Sequence, residues 1–384
     1  MPFYHCLGDL PHKRHTQFRR PDGSLYHEQV MGTRGFEGIQ SIVYHRRAPT
    51  ALLKSEDRGP IEIALEQPGA LRHRHFRTRR LAPGGDFITG RQPLLHNNDV
   101  TISIVLPAEP MSYHYRNGQG DELIFVDRGE GRIESLFGTL PLRRGDYLVI
   151  PIGTTYRLVT SGPAKLLVFE TRGSIETPRR YRNEHGQLLE HSPYCERDIR
   201  VPQELASHDE AGEFAVLVRA RDRLTMHTLD HHPLDAVGWD GYLYPWAFNI
   251  EDFEPITGRV HQPPPVHQTF KGPNFVICSF VPRKFDYHPL AIPAPYNHSN
   301  VDSDEVLYYV EGNFMSRKGI EEGSISLHPS GLPHGPHPGA AESSIGKQGT
   351  EELAVMIDTF HPLRVAQAAL AIEDAQYAYS WVEH

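Results

Sequence analysis

A unit of short strands occurs twice in this chain, and this repeat constrains the fold more than any other feature. The matching segments are residues 115–129 with 298–312, and residues 145–156 with 323–334. Turn residues recur at the same places, since Pro151 and Gly153 align with Pro329 and Gly331. Between the turns lie runs of β-branched and aromatic residues, which favour strands. The repeat therefore predicts a mainly β protein that folds as a duplicated sandwich or barrel.

The copies differ where a side chain can donate to a metal ion. His298, His328 and His334 of the second copy align with Tyr115, Ile150 and Tyr156 of the first, whereas Glu305 aligns with Glu122. Two imidazoles and one carboxylate on one side of an ion are typical of non-haem Fe(II) sites that keep open positions, and zinc accepts the same donors. We therefore predict a metal site in the second copy and a metal-free first copy.

Composition limits the class of protein. The chain has 32 prolines, 33 glycines and 39% hydrophobic residues, which suits a loop-rich β protein. A formal net charge of -9 argues against a nucleic-acid-binding protein, which needs a basic face. Three scattered cysteines indicate no disulfide framework, and no apolar run is long enough to cross a membrane. We expect a cytoplasmic protein without a nucleic-acid or membrane partner.

Three regions are predicted along the chain. Residues 1–175 form an N-terminal β region that contains the degenerate copy, and residues 176–260 form a connecting β and loop segment. Residues 261–384 form the catalytic copy, followed by an Ala-rich tail that predicts a short C-terminal helix.

Several motifs resemble the homogentisate 1,2-dioxygenase family of the cupin superfamily. They are YNHSN at residues 296–300, LHPSGLPHGP at 327–336, FEPITGRVHQPPP at 253–265 and SLYHEQVMG at 24–32. The repeat itself is similar to the cupin unit, whose first motif carries a His and a Glu and whose second carries the last His. The resemblance implies a jelly-roll bicupin.

The resemblance also implies a ligand set for Fe(II). By position the ligands are His298, Glu305 and His334. The glutamate stands one residue further from the first histidine than in the best-known members, so Asp304 is the alternative carboxylate. The repeat favours Glu305, because Glu305 aligns with Glu122.

Further site residues follow from the same resemblance. The catalytic base falls on His261, with His267 as the alternative, and His328 matches another active-site histidine. Tyr296 matches an aromatic residue of the substrate pocket. Phe314 stands where the family has a substrate-contacting tyrosine.

The activity implied is cleavage of the homogentisate ring with O2 to give maleylacetoacetate. Because Phe314 departs from the family, gentisate, hydroquinone or another hydroxylated aromatic acid is an alternative substrate. A bicupin isomerase or binding protein is a further alternative. Arg317 and Lys318 are candidates for binding the substrate carboxylate, and the family predicts a homo-oligomer, either a trimer or a hexamer.

Overall fold

The computed structural model of the chain describes residues 2–312, 314 and 319–382, most of them in strands or the loops that join them. The strands in chain order are β1 (His5–Gly8), β2 (His27–Gly32), β3 (Gln40–His45), β4 (Lys54–Pro60), β5 (Arg74–Arg77), β6 (Gln92–His96), β7 (Val100–Val105), β8 (His114–Asn117), β9 (Glu122–Arg128), β10 (Gly131–Ser135), β11 (Gly138–Leu142), β12 (Asp146–Ile150), β13 (Thr155–Thr160), β14 (Lys165–Thr171), β15 (Ile199–Arg200), β16 (Ala211–Ala220), β17 (Arg223–His231), β18 (Ala236–Gly241), β19 (Trp246–Asn249), β20 (Gln268–Gly272), β21 (Phe275–Phe280), β22 (Arg283–Lys284), β23 (Asp304–Glu311), β24 (Ser324–His328), β25 (Gly349–Thr350), β26 (Leu353–Thr359) and β27 (Arg364–Val365). The α-helices are α1 (Ala340–Ser344) and α2 (Gln367–Leu370). The mainly β prediction is confirmed.

The two copies fold with the same strand register. In the second copy Glu305 lies opposite His328 on one neighbouring strand and opposite Asp358 on the other, and His298 is bridged to His334. The corresponding pairs in the first copy are Glu122 with Ile150, Glu122 with Glu170, and Tyr115 with Tyr156. The duplication seen in the sequence is therefore a duplication of the fold.

The recurring glycines serve the same turn in both copies. Gly153 has a φ of 82° and Gly331 a φ of 78°, a left-handed conformation that glycine adopts without a steric penalty. The amide of Gly153 donates to the carbonyl of Asn117 at 2.8 Å, and that of Gly331 donates to the carbonyl of Asn300 at 2.7 Å. This turn brings the last donor position of each unit back beside the first.

The side chains of β23 point alternately to the hydrophobic core and to the candidate metal site. Val306 and Tyr308 are each 1% exposed and point to the core shared with the first copy, where the ring of Tyr308 lies 6.4 Å from that of Phe125. Because successive side chains of a strand point to opposite faces, Glu305 points to the other side of the sheet, among the histidines. The packing between the copies thus fixes the position of Glu305.

Strands from distant parts of the chain complete each sheet. The eight-stranded sheet has the order β15-β19-β12-β9-β14-β7-β6-β27, and the six-stranded sheet has the order β20-β21-β26-β23-β24-β5. The remaining sheets have the orders β11-β10-β13-β8-β16-β17-β4, β1-β18-β3-β2 and β22-β25. β5 of the N-terminal region joins the sheet of the second copy, and β27 of the C-terminal region joins that of the first. Strands of both terminal regions thus join the sheet of the other region, so the boundaries of the three predicted regions apply to the sequence and do not separate the sheets.

The C-terminal tail lies against the second copy. Its α-helix α2 is four residues long, and the chain then turns so that Tyr377 and Trp381 pack beside the histidines of that copy. Within the described residues, every helix is too short or too polar to cross a membrane.

Candidate metal centre

Two loops and one strand bring His298, Glu305 and His334 together. His298 and His334 exchange backbone hydrogen bonds, each amide donating to the other residue's carbonyl at 2.8 Å. Glu305 is the second residue of β23 and faces both rings. This backbone pairing, which recurs between Tyr115 and Tyr156 in the first copy, places the three side chains side by side.

The donor atoms of these side chains converge. Nε2 of His298 lies 3.4 Å from Oε2 of Glu305, and Nε2 of His334 lies 3.2 Å from Oε1. The two imidazole centroids are 4.3 Å apart, and one donor atom from each of the three residues lies within 4.8 Å of the others. Such a cluster matches the spacing that a single metal ion requires.

The hydrogen bonding of the imidazoles suits metal ligands. Nδ1 of His298 faces the carbonyl of Tyr296, and Nδ1 of His334 faces that of Leu332, both at 3.2 Å. A donor bond from Nδ1 leaves the lone pair on Nε2, which is the usual arrangement in metal-bound histidine. Nε2 of His334 is buried and has no hydrogen-bond partner in the described part of the chain, because its approach to Glu305 is not in hydrogen-bond geometry. A cation would satisfy this atom, so the residues fit a metal.

Glu305 is held in the form that a metal needs. Burial acts to raise the pKa of its carboxyl, but the imidazoles of His298 and His328 outweigh burial and hold that pKa well below the ordinary value. His328 is fully buried, with Nδ1 2.7 Å from Oε1 of Glu305 and Nε2 3.2 Å from the hydroxyl of Tyr377. His328 therefore contacts Glu305 on one side and Tyr377 on the other, and its catalytic role stays a prediction.

Asp304, the alternative carboxylate ligand, accepts hydrogen bonds from backbone amides instead. Its Oδ1 accepts from the amide of Ser330 and its Oδ2 from the amide of Leu363, both at 2.7 Å. Asp121 accepts two backbone N–H groups in the same way in the first copy. Asp304 thus ties loops to the strand in both units, and the geometry favours Glu305 as the ligand.

A cavity of about 200 Å³ adjoins these residues. This volume is below the roughly 300–1,000 Å³ of pockets for drug-sized ligands, and it suits a molecule of one ring. His298 and Glu305 lie in its wall, together with Asp358. Burial, and then the charge of Glu305, raises the pKa of Asp358 to about 8.

Comparison with known proteins identifies the family. The family model described as homogentisate 1,2-dioxygenase N-terminal matches residues 62–250. A protein of Saccharolobus solfataricus, provisionally named as a dioxygenase, is 43% identical over 384 residues, or 99% of each chain. The chain belongs to the homogentisate 1,2-dioxygenase-like family. The homogentisate 1,2-dioxygenase of Nitrobacter hamburgensis is 28% identical, over 79% of this chain and 69% of its own length.

Among solved structures, a cupin 2 conserved barrel protein from Leptotrichia buccalis is similar over 79% of this chain and 100% of its own length. The identity is 10% and the TM-score is 0.33, which is below the level at which overall similarity decides a fold.

Three further residues predicted from this family meet at the cavity. His261, His267 and Tyr296 all lie in its wall. The ring of Tyr296 lies 5.1 Å from that of His261 and 5.9 Å from that of His298, so it connects the predicted base with the cluster. Nδ1 of His261 lies 3.2 Å from Oδ2 of Asp286. Burial, and next the charge of Arg283, lowers the pKa of His267 to about 3, which makes His267 a weak base and favours His261.

Phe314 is placed elsewhere. It is 9% exposed and packs on the ring of Tyr309 at 4.8 Å, in a small cluster with Ala354. Phe314 is not among the described residues that line the cavity. Its aromatic ring packs in that hydrophobic cluster instead. A contact between Phe314 and the substrate stays a prediction. Arg317 and Lys318 lie outside the described residues.

In the first copy a buried arginine takes the place that the second copy offers to a metal ion. Nη1 of Arg91 lies 2.7 Å from Oε1 of Glu122 and 2.7 Å from Oε1 of Glu170. The hydroxyl of Tyr156 donates to Glu122 at 2.7 Å, and the guanidinium lies over the ring of Tyr115. Arg91 thus already neutralises Glu122, the carboxylate of the first copy that aligns with Glu305.

Reasoning from the sequence missed Arg91, Asp358, Asp286 and Arg283. Arg91 and Arg283 lie outside the aligned segments, and nothing in their local sequence marks them. Asp358 could have been found from the sequence, because extending the repeat to β14 and β26 aligns it with Glu170. Asp286 lies 25 residues from its partner His261, within a loop whose sequence does not fix the path of the chain.

Proposed function

We propose that this protein is an Fe(II)-dependent ring-cleaving dioxygenase that converts homogentisate and O2 to maleylacetoacetate. The observation that supports this most is the convergence of His298, Glu305 and His334 beside a cavity that also holds a histidine outside the cluster, His261. A two-histidine, one-carboxylate set leaves positions open on the ion, as expected where substrate and O2 must bind together. The name of the Nitrobacter hamburgensis relative supports homogentisate as the substrate.

The protein's own residues would prepare the substrate. A phenol has a pKa of about 10 when free, so it must lose a proton before it can react. His261 is assigned as the base, and the carboxylate of Asp286 orients its ring through Nδ1. Tyr296 forms an aromatic wall between His261 and the cluster, against which the substrate ring can stack. When bound, Fe(II) would act as a Lewis acid for the phenolate and as the centre that activates O2.

Replacing His261 with glutamine is expected to lower turnover while leaving the iron content unchanged. Glutamine keeps a polar side chain of similar length but cannot take up the proton, and loss of a general base costs about 10²- to 10⁴-fold. The measurement is kcat with homogentisate together with iron per chain. His288→Gln, in the segment after β22 and outside the described cavity wall, is the control that should keep its activity. An unchanged kcat in the His261 variant would remove His261 from the mechanism.

Oxygen uptake distinguishes the candidate reactions. The metal-free protein is loaded anaerobically with Fe(II), and uptake is measured with homogentisate, gentisate and hydroquinone. The proposal predicts the highest kcat/KM with homogentisate. Preferential uptake with gentisate or hydroquinone would assign another substrate to the same site. Uptake with none of the three would favour a bicupin isomerase or binding protein.

The assembly and location of the protein stay predictions. A trimer or a hexamer is expected because the family commonly forms such oligomers, and a cytoplasmic location is expected from the sequence. Light scattering of the purified protein measures the first of these directly.

A further inference from the structure

A segment of the C-terminal tail, residues 373–382, is anchored beside the predicted metal ligands. Oε2 of Glu373 accepts from Nη2 of Arg74 at 2.6 Å, and the amide of Asp374 donates to the carbonyl of His75 at 2.8 Å. Both partners belong to β5, which pairs with β24 in the sheet of the second copy. None of the residues of this tail segment lies in the described wall of the cavity. The tail segment therefore approaches the metal ligands from outside the cavity.

Tyr377 of the tail segment is connected to Glu305 through one imidazole. The Tyr377 hydroxyl lies 3.2 Å from Nε2 of His328, and Nδ1 of His328 lies 2.7 Å from Oε1 of Glu305. Tyr377 is 3% exposed and the side chain of His328 is 0% exposed, so water does not compete for either hydrogen bond. Because both ring nitrogens are engaged, the imidazole cannot rotate without breaking one of these contacts. The orientation of the Glu305 carboxylate therefore depends on the Tyr377 hydroxyl.

Trp381 is connected to His334 in a similar way, by the packing of rings. The ring of His73 lies 5.3 Å from that of Trp381 and 5.9 Å from that of His334. The indole N–H of Trp381 donates to the carbonyl of Gly335, the residue after His334, at 3.1 Å, and the indole stacks on His337 at 4.3 Å. These contacts fix the loop that carries His334 as well as its imidazole. The tail segment thus supports two of the three predicted metal ligands, each through one intervening histidine.

We infer that the tail segment positions the metal ligands and that Tyr377 is the residue through which it acts most strongly. Tyr377 holds Glu305 by way of His328, and Trp381 supports His334. Groups that orient a metal ligand raise the affinity for the metal, because the ligand then loses less conformational freedom when the ion binds. The inference rests on the proposed function for the presence of an ion at the cluster. It does not depend on the substrate, since Tyr377 and Trp381 lie outside the described cavity wall.

The test compares Tyr377→Phe with the wild type in anaerobic titrations of the full-length metal-free protein with Fe(II). Phenylalanine keeps the ring that packs on His75 and Trp381 and removes only the hydroxyl. The Fe(II) affinity should fall by about 10-fold, the lower end of the effect of losing a group that orients a ligand. The electron paramagnetic resonance spectrum of the nitric oxide adduct of the bound iron should also change, because Glu305 is no longer held in one orientation. Tyr379→Phe is the matched control, since Tyr379 is an exposed tyrosine of the same segment, and it should leave both readouts unchanged.

An unchanged Fe(II) affinity and an unchanged spectrum in Tyr377→Phe would overturn the inference. A lower affinity with an unchanged spectrum and a lower unfolding temperature would overturn it as well, because Tyr377 would then only stabilise the fold. If Tyr377→Phe does not fold, Trp381→Ala at a half-buried side chain decides, since a lower affinity upholds the inference and an unchanged affinity rejects it.

The inference and the proposed function can fail independently. Iron binding that depends on Tyr377, combined with no oxygen uptake from homogentisate, would uphold the positioning role and reject the proposed reaction. Wild-type iron affinity in Tyr377→Phe, combined with oxygen uptake from homogentisate, would reject the positioning role and leave the proposed reaction standing.

Discussion

Replacing His334 with alanine is expected to remove the metal from this protein and abolish its activity. His334 provides a buried Nε2 that lacks a hydrogen-bond partner among the described residues, so a cation is the partner that this atom fits. Loss of a group that only orients a ligand costs about 10- to 100-fold in metal affinity, and loss of the ligand itself should exceed about 100-fold. The measurement is the affinity for Fe(II) under anaerobic conditions, followed by iron per chain after desalting.

The matched control for this substitution is His191→Ala, which removes an exposed histidine of the connecting segment. It should bind iron as the wild type does. Circular dichroism should show the same strand content for both variants, because the backbone bridge between residues 298 and 334 does not involve the imidazoles. A His334 variant that retains one iron per chain at wild-type affinity would exclude His334 from the ligand set.

Replacing Arg91 with methionine is expected to destabilise the fold by about 3–5 kcal/mol. The guanidinium is 6% exposed and neutralises Glu122 and Glu170, which are 0% and 6% exposed. Removing one partner of a buried ion pair leaves an uncompensated charge in a medium where it is poorly solvated. Chemical denaturation of the metal-free protein measures the change in the free energy of unfolding.

Arg79→Met is the matched control for this second substitution. Arg79 pairs with Glu322, but both side chains are about half exposed, and such a surface pair contributes about 1 kcal/mol or less. The double variant Arg91→Met with Glu122→Gln should recover part of the stability, because it also removes one buried charge. An Arg91 variant as stable as the Arg79 variant would show that the guanidinium does not act as the internal cation of the first copy.

The repeat made most of the fold and the cluster predictable from the sequence. Turn glycines and donor residues recur at fixed spacing, so aligning the copies separated the residues that the turn requires from His298, Glu305 and His334. The same register then appeared in the strand pairing of both copies. Local sequence sufficed because each pair is set within a single unit of adjacent strands.

Other residues could not be predicted because they arrive from distant parts of the chain. β5 crosses to the sheet of the second copy, and Arg91 enters the first copy from a segment outside the repeat. Phe314 stands where the family has a substrate-contacting tyrosine, and in the structure its ring packs on that of Tyr309. Spacing along the chain predicts contacts within a strand pair, and it does not predict which wall of a cavity a loop residue joins.

The most direct test of the central claim is the reaction of the Fe(II)-loaded protein with homogentisate under oxygen-18 gas. Cleavage of the ring by a dioxygenase places both atoms of one O2 molecule in the product, and uptake of O2 should equal the homogentisate consumed. Mass spectrometry of the product is therefore expected to show two labelled oxygen atoms per molecule. A product with no labelled atom, uptake of O2 that differs from the homogentisate consumed, or no reaction from protein that holds one iron per chain, would contradict the assignment.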